Sequence, residues 1–276
     1  MKRKKKFIIK IFKHTILVSI ALIMLFPMIW IILQSFKSYF DVIAVPPKLI
    51  FSPVLENYIN VFRKIDFFYS FRDSLIVALC SVGLTLLIGV PCGYALAKFN
   101  FKGKNNIGFF ILSTKMMPPI VIIVPFVKIF HMLGMIDTYI GLILAHVLVN
   151  IALVVWMMRG FFVDIPREIE EAAMIDGCSE IKSFLIIDLP LSAPGLVATA
   201  LLSFLFSWNE FFFALTLTNF KVRTLPLYMA TEFVGHLAIK WGTLSAAGVL
   251  AIIPTLIFII IIQRHLIRGL TFGALK

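Results

Sequence analysis

The sequence predicts an all-α integral membrane protein with six transmembrane helices, and three observations carry that expectation. Of its 276 residues, 61% are hydrophobic and only 14% are charged, a balance that soluble domains do not show. Several apolar runs reach the about 20 residues that a helix needs to cross a bilayer. The net charge of +12 sits beside those runs instead of in an aromatic-interleaved groove. It therefore reports topology and attraction to membrane lipid, and nucleic acid is not an expected partner.

Lys2, Arg3, Lys4, Lys5, Lys6, Lys10 and Lys13 precede the first run, Thr15 to Leu33. That run exceeds a signal-peptide core and meets Gln34-Ser35-Phe36 where small cleavage-site residues should be, so it reads as span one with the lysines cytoplasmic. Residues 35–73 form a polar connection with Pro46, Pro47 and Pro53, placed outside. Span two runs from Ser74 to Ala97 and contains Gly83, Gly89, Pro91 and Gly93, residues expected where a membrane helix bends or a neighbour approaches closely. Lys98, Lys102 and Lys104 mark a short inner loop. Span three, Ile107 to Phe130, holds Pro118, Pro119 and Pro125 and cannot be straight. Span four is Thr138 to Met158, span five Leu191 to Leu217 and span six Thr243 to Ile262. An even number of spans leaves both termini cytoplasmic.

Between spans four and five, residues 164–190 form a polar, amphipathic island, the one place where carboxylates crowd together. Asp164 is suited to cap a helix, Pro166 suits a first turn, and Glu168, Glu170 and Glu171 place negative charge at its positive end. Ile165, Ile169, Ala172, Ala173 and Asp176 recur at three- and four-residue spacing until Gly177. Ser179 begins a second segment that is expected to stop at Pro190. Each helix has about ten residues, below the about 12 to 15 at which an isolated helix is marginal in water, so both need a surface to pack on. From pattern alone that surface is either the protein's own membrane domain or a separate polypeptide.

The chain contains no G-x-x-x-x-G-K-[ST] phosphate cradle, since Gly103-Lys104-Asn105 fails it at two positions. Cys80, Cys92 and Cys178 are scattered, as are His14, His131, His146, His236 and His265, so neither a disulfide framework nor a metal site is expected. An integral-membrane enzyme would need acids, histidines or a nucleophile clustered at one depth. A self-contained channel or ion-coupled transporter would need repeated halves or several buried ionisable groups, and only Lys115 and Glu210 stand out. With a rise of about 1.5 Å per residue, Glu210 lies roughly 24 Å from the inner edge, Lys115 about 12 Å and Lys128 about 31 Å, which makes Lys128 the expected partner of Glu210.

Glu171-Ala172-Ala173, then Gly177, then Ile187-Asp188-Leu189-Pro190 resembles the signature loop of the membrane subunits of bacterial ATP-binding-cassette importers. Leu189-Pro190-Leu-Ser-Ala-Pro-Gly195, Ser207-Trp-Asn-Glu-Phe211, Thr224-Leu-Pro226, Trp241-Gly242 and Gln263-Arg-His-Leu-Ile-Arg-Gly-Leu-Thr-Phe-Gly273 narrow the likeness to the smaller permease of maltose-type carbohydrate importers. The resemblance implies the all-helical importer permease (MetI-like) fold, with 1–276 as one transmembrane domain, 74–265 as a five-helix core and 164–190 as a cytoplasmic coupling loop. It also implies a second, homologous permease, two copies of a cytoplasmic ATPase that bind ATP and Mg, and an external solute-binding protein, in a bacterial cell membrane. No cofactor and no hydrolytic activity are expected of this chain itself.

By the same resemblance, Glu171, Ala172, Ala173, Asp176 and Gly177 would couple to the ATPase. Asn209 and Glu210, by the cost of an ionisable group inside a span and its depth there, and Glu232 and Trp241, by the resemblance, would form an outer gate or binding-protein docking surface. Gly269, Thr271 and Gly273 in the tail would reach toward the ATPases. The resemblance implies a sugar or oligosaccharide as cargo, with glycerol phosphate and polyols as open alternatives.

Overall fold

The computed structural model describes residues 2–234 and 239–272. In chain order its helices are α1 (Lys2–Ser35), α2 (Tyr39–Val42), α3 (Glu56–Phe62), α4 (Ile65–Lys98), α5 (Lys104–Met116), α6 (Pro119–Met132), α7 (Tyr139–Val163), α8 (Arg167–Ile175) and α9 (Glu180–Ser183). A π-helical segment, Phe184–Asp188, leads into α10 (Leu189–Leu191), α11 (Ala193–Trp208), α12 (Phe212–Leu217), α13 (Leu225–Glu232) and α14 (Trp241–Phe272). No named strand occurs among the described residues.

Four helical stretches are long and apolar enough to cross a membrane alone: Phe12–Ser35, Ile65–Lys98, Tyr139–Val163 and Trp241–Ile261. Two bent pairs bring the number to as many as six, α5 with α6 at 98° and Glu180–Leu191 with α11 at 76°. The bend expected in span three falls at Met117 and Pro118. Both adopt extended ψ values, 127° and 134°, because a residue ahead of proline is excluded from the helical region. Pro91, by contrast, lies inside the continuous α4.

Three boundaries differ from the sequence expectation. Helix α7 runs past Met158 to Val163, so Asp164 closes α7 instead of capping the next helix, and Pro166 stands at the N-cap of α8 without a side-chain hydrogen bond. Pro190 does not end the second island segment. The chain widens into the π segment and re-forms one turn with the proline at a position where its missing N–H is not needed. Span five does not continue to Leu217, because α11 stops at Trp208 and a separate short helix, α12, follows.

The residues fall into two compact units, Met1–Phe67 with Met229–Ile253, and Phe68–Tyr228 with Pro254–Lys276. In the first, the Asn57 amide donates to the carbonyls of Ser35 (3.0 Å) and Lys37 (2.8 Å), and Thr243 Oγ1 donates to Asn57 Oδ1 at 3.4 Å. The two bonds from the Asn57 amide satisfy carbonyls freed where α1 ends.

The second unit holds α7 against α11 and α5. One apolar cluster gathers Val90, Tyr94, Val154, Met158, Phe162 and Ile165, and another gathers Val77, Ile123, Phe130, Leu142, Phe213 and Leu217. Lipid is as apolar as these side chains, so close contact, not water exclusion, holds membrane helices together. At Gly93 the backbone of α7 comes within van der Waals range of α4.

Loop 218–222 is fixed by one side chain that sequence reasoning passed over. Asp137, at φ +58, accepts hydrogen bonds from the backbone N–H groups of Asn219, Phe220, Lys221 and Val222, at 3.0–3.3 Å. Burial pushes this carboxyl up, but the four donors outweigh burial and hold it below its ordinary value. Asp137→Ala is therefore expected to speed hydrogen exchange at residues 219–222 about tenfold or more, since each bond to a charged acceptor is worth about 1.5–3 kcal/mol. Unchanged exchange would remove the latch.

Candidate functional site

Helix α8 and the turn after it are built by local rules. Glu168 and Glu170 occupy its first turn, where the helix dipole favours carboxylates. At the other end Gly177 takes φ +86°, Cys178 N–H donates to Ala173 O at 3.0 Å and Gly177 N–H donates to Met174 O at 3.0 Å. That pair of bonds is a Schellman motif, which satisfies the last carbonyls and needs a left-handed residue at the glycine position. Ser179 then caps α9 by accepting from Lys182 N–H at 3.4 Å. The helix, glycine turn and helix read from sequence are present.

The two faces of α8 divide the sequence-predicted residues. Glu171, Ala172 and Asp176 are exposed and Ile175 is 87% exposed, while Ala173, at 8%, is turned toward its own chain. Ile181, Leu185 and Ile186 are exposed beyond the turn.

The inward face carries a cluster that sequence reasoning did not assemble. Glu170, 6% exposed, forms an ion pair with Lys98, 8% exposed, the last residue of α4. Lys98 Nζ also donates to Ile165 O at 2.8 Å, and Arg167 Nη2 donates to Lys98 O at 2.7 Å. Asp188 in the π segment is fully buried. The available signals were the three-residue offset of Glu170 from Ala173, which puts both on one face, and the apolar neighbours of Asp188.

Asn209 and Glu210 lie where α11 breaks. Asn209 Nδ2 donates to Leu205 O at 2.8 Å, and the Glu210 carboxylate accepts from Phe213 N–H (2.9 Å) and Ala214 N–H (3.2 Å), so it caps α12. The expected ion pair with Lys128 is not formed. Interrupting the span frees backbone donors for the carboxylate, and His146 Nε2 lies 3.5 Å from it. His146, 1% exposed, shares a hydrogen bond with Ser207 Oγ at 2.6 Å, and Ser207 shares one with Ser81 Oγ at 2.9 Å. A buried polar seam thus links α4, α7 and α11.

Glu232 and Trp241 belong to the other unit. There Glu232 forms an ion pair with Lys64, and Trp241 is half exposed at the start of α14. The loop containing them is described only in part, because residues 235–238 lie outside the described residues. Gly269 and Thr271 lie in the last turns of α14, and Gly273 lies outside the described residues.

The family described as "binding-protein-dependent transport system inner membrane component" matches residues 89–272. The chain is 37% identical over 262 residues to the trehalose/maltose transport system permease protein MalG of Thermococcus litoralis, covering 94% of each protein. It is 35% identical over 262 residues to the arabinooligosaccharides transport system permease protein AraQ of Halalkalibacterium halodurans, covering 93% of each. Among solved structures it is similar to a chain of a bacterial ABC transporter involved in the import of the acidic polysaccharide alginate. The TM-score there is 0.76 at 26% identity, over 93% of this chain and 96% of that one.

Proposed function

Because the chain belongs to the binding-protein-dependent transport system inner membrane component family, we propose that it forms half of the pathway by which a sugar or oligosaccharide crosses a bacterial membrane. It is a multi-pass, non-enzymatic permease subunit of an ABC importer. The observation that carries the mechanism is the surface of α8: a helix of nine residues, too short to be stable alone, anchored on its inner face and exposing Glu171, Ala172 and Ile175.

In this reading the exposed face of α8 docks on a cytoplasmic ATPase. Glu171 supplies a charge-assisted contact, Ala172 permits close approach, and Gly177 sets the angle of the turn. Two copies of that ATPase hold ATP and Mg, a second homologous permease completes the pathway, and an external solute-binding protein delivers the cargo. Both termini face the cytoplasm, as do residues 164–190. Closure of the ATPases would move α8 and switch the pathway between its two openings. The exposed Asn209, the capped break at Glu210, and Glu232 with Trp241 are proposed for the outer gate or binding-protein docking. Gly269, Thr271 and Gly273 are proposed for the ATPase-facing tail. The carbohydrate transport named for the relatives supports a sugar cargo.

The test is purification of the subunit with its co-expressed ATPase, second permease and binding protein, followed by ATP hydrolysis in the presence of maltose, trehalose, arabino-oligosaccharides and alginate oligosaccharides. Stimulation by at least one saccharide is expected. An assembled complex stimulated by glycerol phosphate or a polyol, and by none of the saccharides, would reassign the cargo.

A further inference from the structure

The loop that contains α8 is flanked in sequence by α7 and α11, yet its strongest polar attachment is to neither. Lys98 closes α4, and Arg167 stands 69 residues further along. Between these places run three polar links. Lys98 Nζ pairs with Glu170 and donates to Ile165 O, and Arg167 donates to the Lys98 carbonyl at the end of α4. One turn earlier, the Tyr94 ring packs against Phe184 of the π segment at 4.6 Å and edge-on to Phe162 of α7 at 5.3 Å between centroids.

We propose that Lys98 and Glu170 are positioning residues that join α8 to the inner end of α4, so that a displacement of α8 is carried directly into α4 as well as into α7 and α11. The inference rests on reading α8 as the element an ATPase moves. Burial is what makes the pair suitable. An exposed ion pair contributes little and exchanges readily with water, whereas removing one partner of a buried pair leaves an uncompensated charge that the structure must expel or rearrange around. The bond from Arg167 adds geometric register, since a guanidinium donating to the last carbonyl of a helix fixes position as well as charge. Helix α4 lies against α7 at Gly93, so a shift at Lys98 enters the packed bundle and is not lost in a loop.

The experiment uses the complex co-purified with its ATPase and reconstituted in lipid nanodiscs, with native cysteines replaced and spin labels introduced at Leu87→Cys on α4 and Glu168→Cys on α8, both exposed positions. The distance between the labels is read without nucleotide and with ATP and vanadate, alongside the rate of ATP hydrolysis. In the wild type and in Lys98→Arg, the distance is expected to agree between the two states to within about 1 Å, because the two helices move together. In Lys98→Met, and in Glu170→Gln, which keeps the shape of the side chain, nucleotide is expected to shift the distance by about 2 Å or more, with ATP hydrolysis retained. A constant distance in both variants, in complexes that still hydrolyse ATP, would overturn the inference alone. Failure of the ATPase to co-purify with the wild type would overturn the lever reading and the inference with it.

Discussion

Gly93→Leu is expected to abolish the folded state in membranes. A Cβ at this position would lie 2.9 Å from the Val155 carbonyl oxygen, 3.0 Å from the Arg159 nitrogen and 3.1 Å from Met158 Cβ. Two of those three atoms are backbone of α7, which cannot rotate away, so the two helices must separate and lose contacts on both sides of the crossing. Overpacking costs about 1–3 kcal/mol when side chains can adjust, and more is expected where they cannot. Gly195 provides the contrast. A Cβ there would meet the side-chain ring of Phe161, which is 37% exposed, and not backbone. Gly83, with nothing nearby, provides the neutral control. Fluorescence-detected size exclusion in mild detergent should show the folded peak lost for Gly93→Leu, reduced for Gly195→Ala and unchanged for Gly83→Ala. A Gly93→Leu peak equal to wild type would mean that α4 and α7 do not approach this closely.

Gly177→Leu is expected to uncouple ATP hydrolysis from transport while leaving the protein inserted. Nothing lies within 4 Å of a Cβ at Gly177, so the penalty is conformational: φ is +86°, where an L side chain costs about 1–2 kcal/mol. That cost is small beside the stability of a domain, about 5–15 kcal/mol, but it falls entirely on the Schellman turn that orients α8 against α9. Gly177→Asn separates the two effects, because asparagine tolerates the left-handed region. Transport per ATP hydrolysed should fall about tenfold for Gly177→Leu and stay near wild type for Gly177→Asn. Loss of membrane insertion in both variants would assign the glycine a folding role instead.

Much of this architecture was legible because it is set by local chemistry. Length and apolarity placed the membrane spans, Pro118 and Pro119 placed the bend in the third, and Gly177 and Ser179 placed the turn and the second helix of the island. What escaped was set by contacts distant in sequence. Glu210 reads as a charge in need of a cation until the structure interrupts α11 at Trp208 and gives the carboxylate two backbone donors of α12. Lys98 reads as an inner-loop marker until it is seen buried against Glu170. Asp137 reads as a loop residue, and only the fold brings residues 219–222 within its reach. Ala172 and Ala173 are alike in sequence, but the register of α8 turns one outward and the other inward.

The register of α8 also supplies the most direct test of the proposed docking on an ATPase. Single cysteines at Ala172, Ala173 and Ile175, in a cysteine-free background, would be exposed to a short bifunctional thiol cross-linker in the complex with an ATPase carrying introduced surface cysteines. If the exposed face of α8 docks on that protein, Ala172→Cys and Ile175→Cys will cross-link, with yields that change on adding ATP, and the inward-facing Ala173→Cys will not. A complex that assembles and hydrolyses ATP while none of the three positions cross-links would place the contact elsewhere and contradict the account.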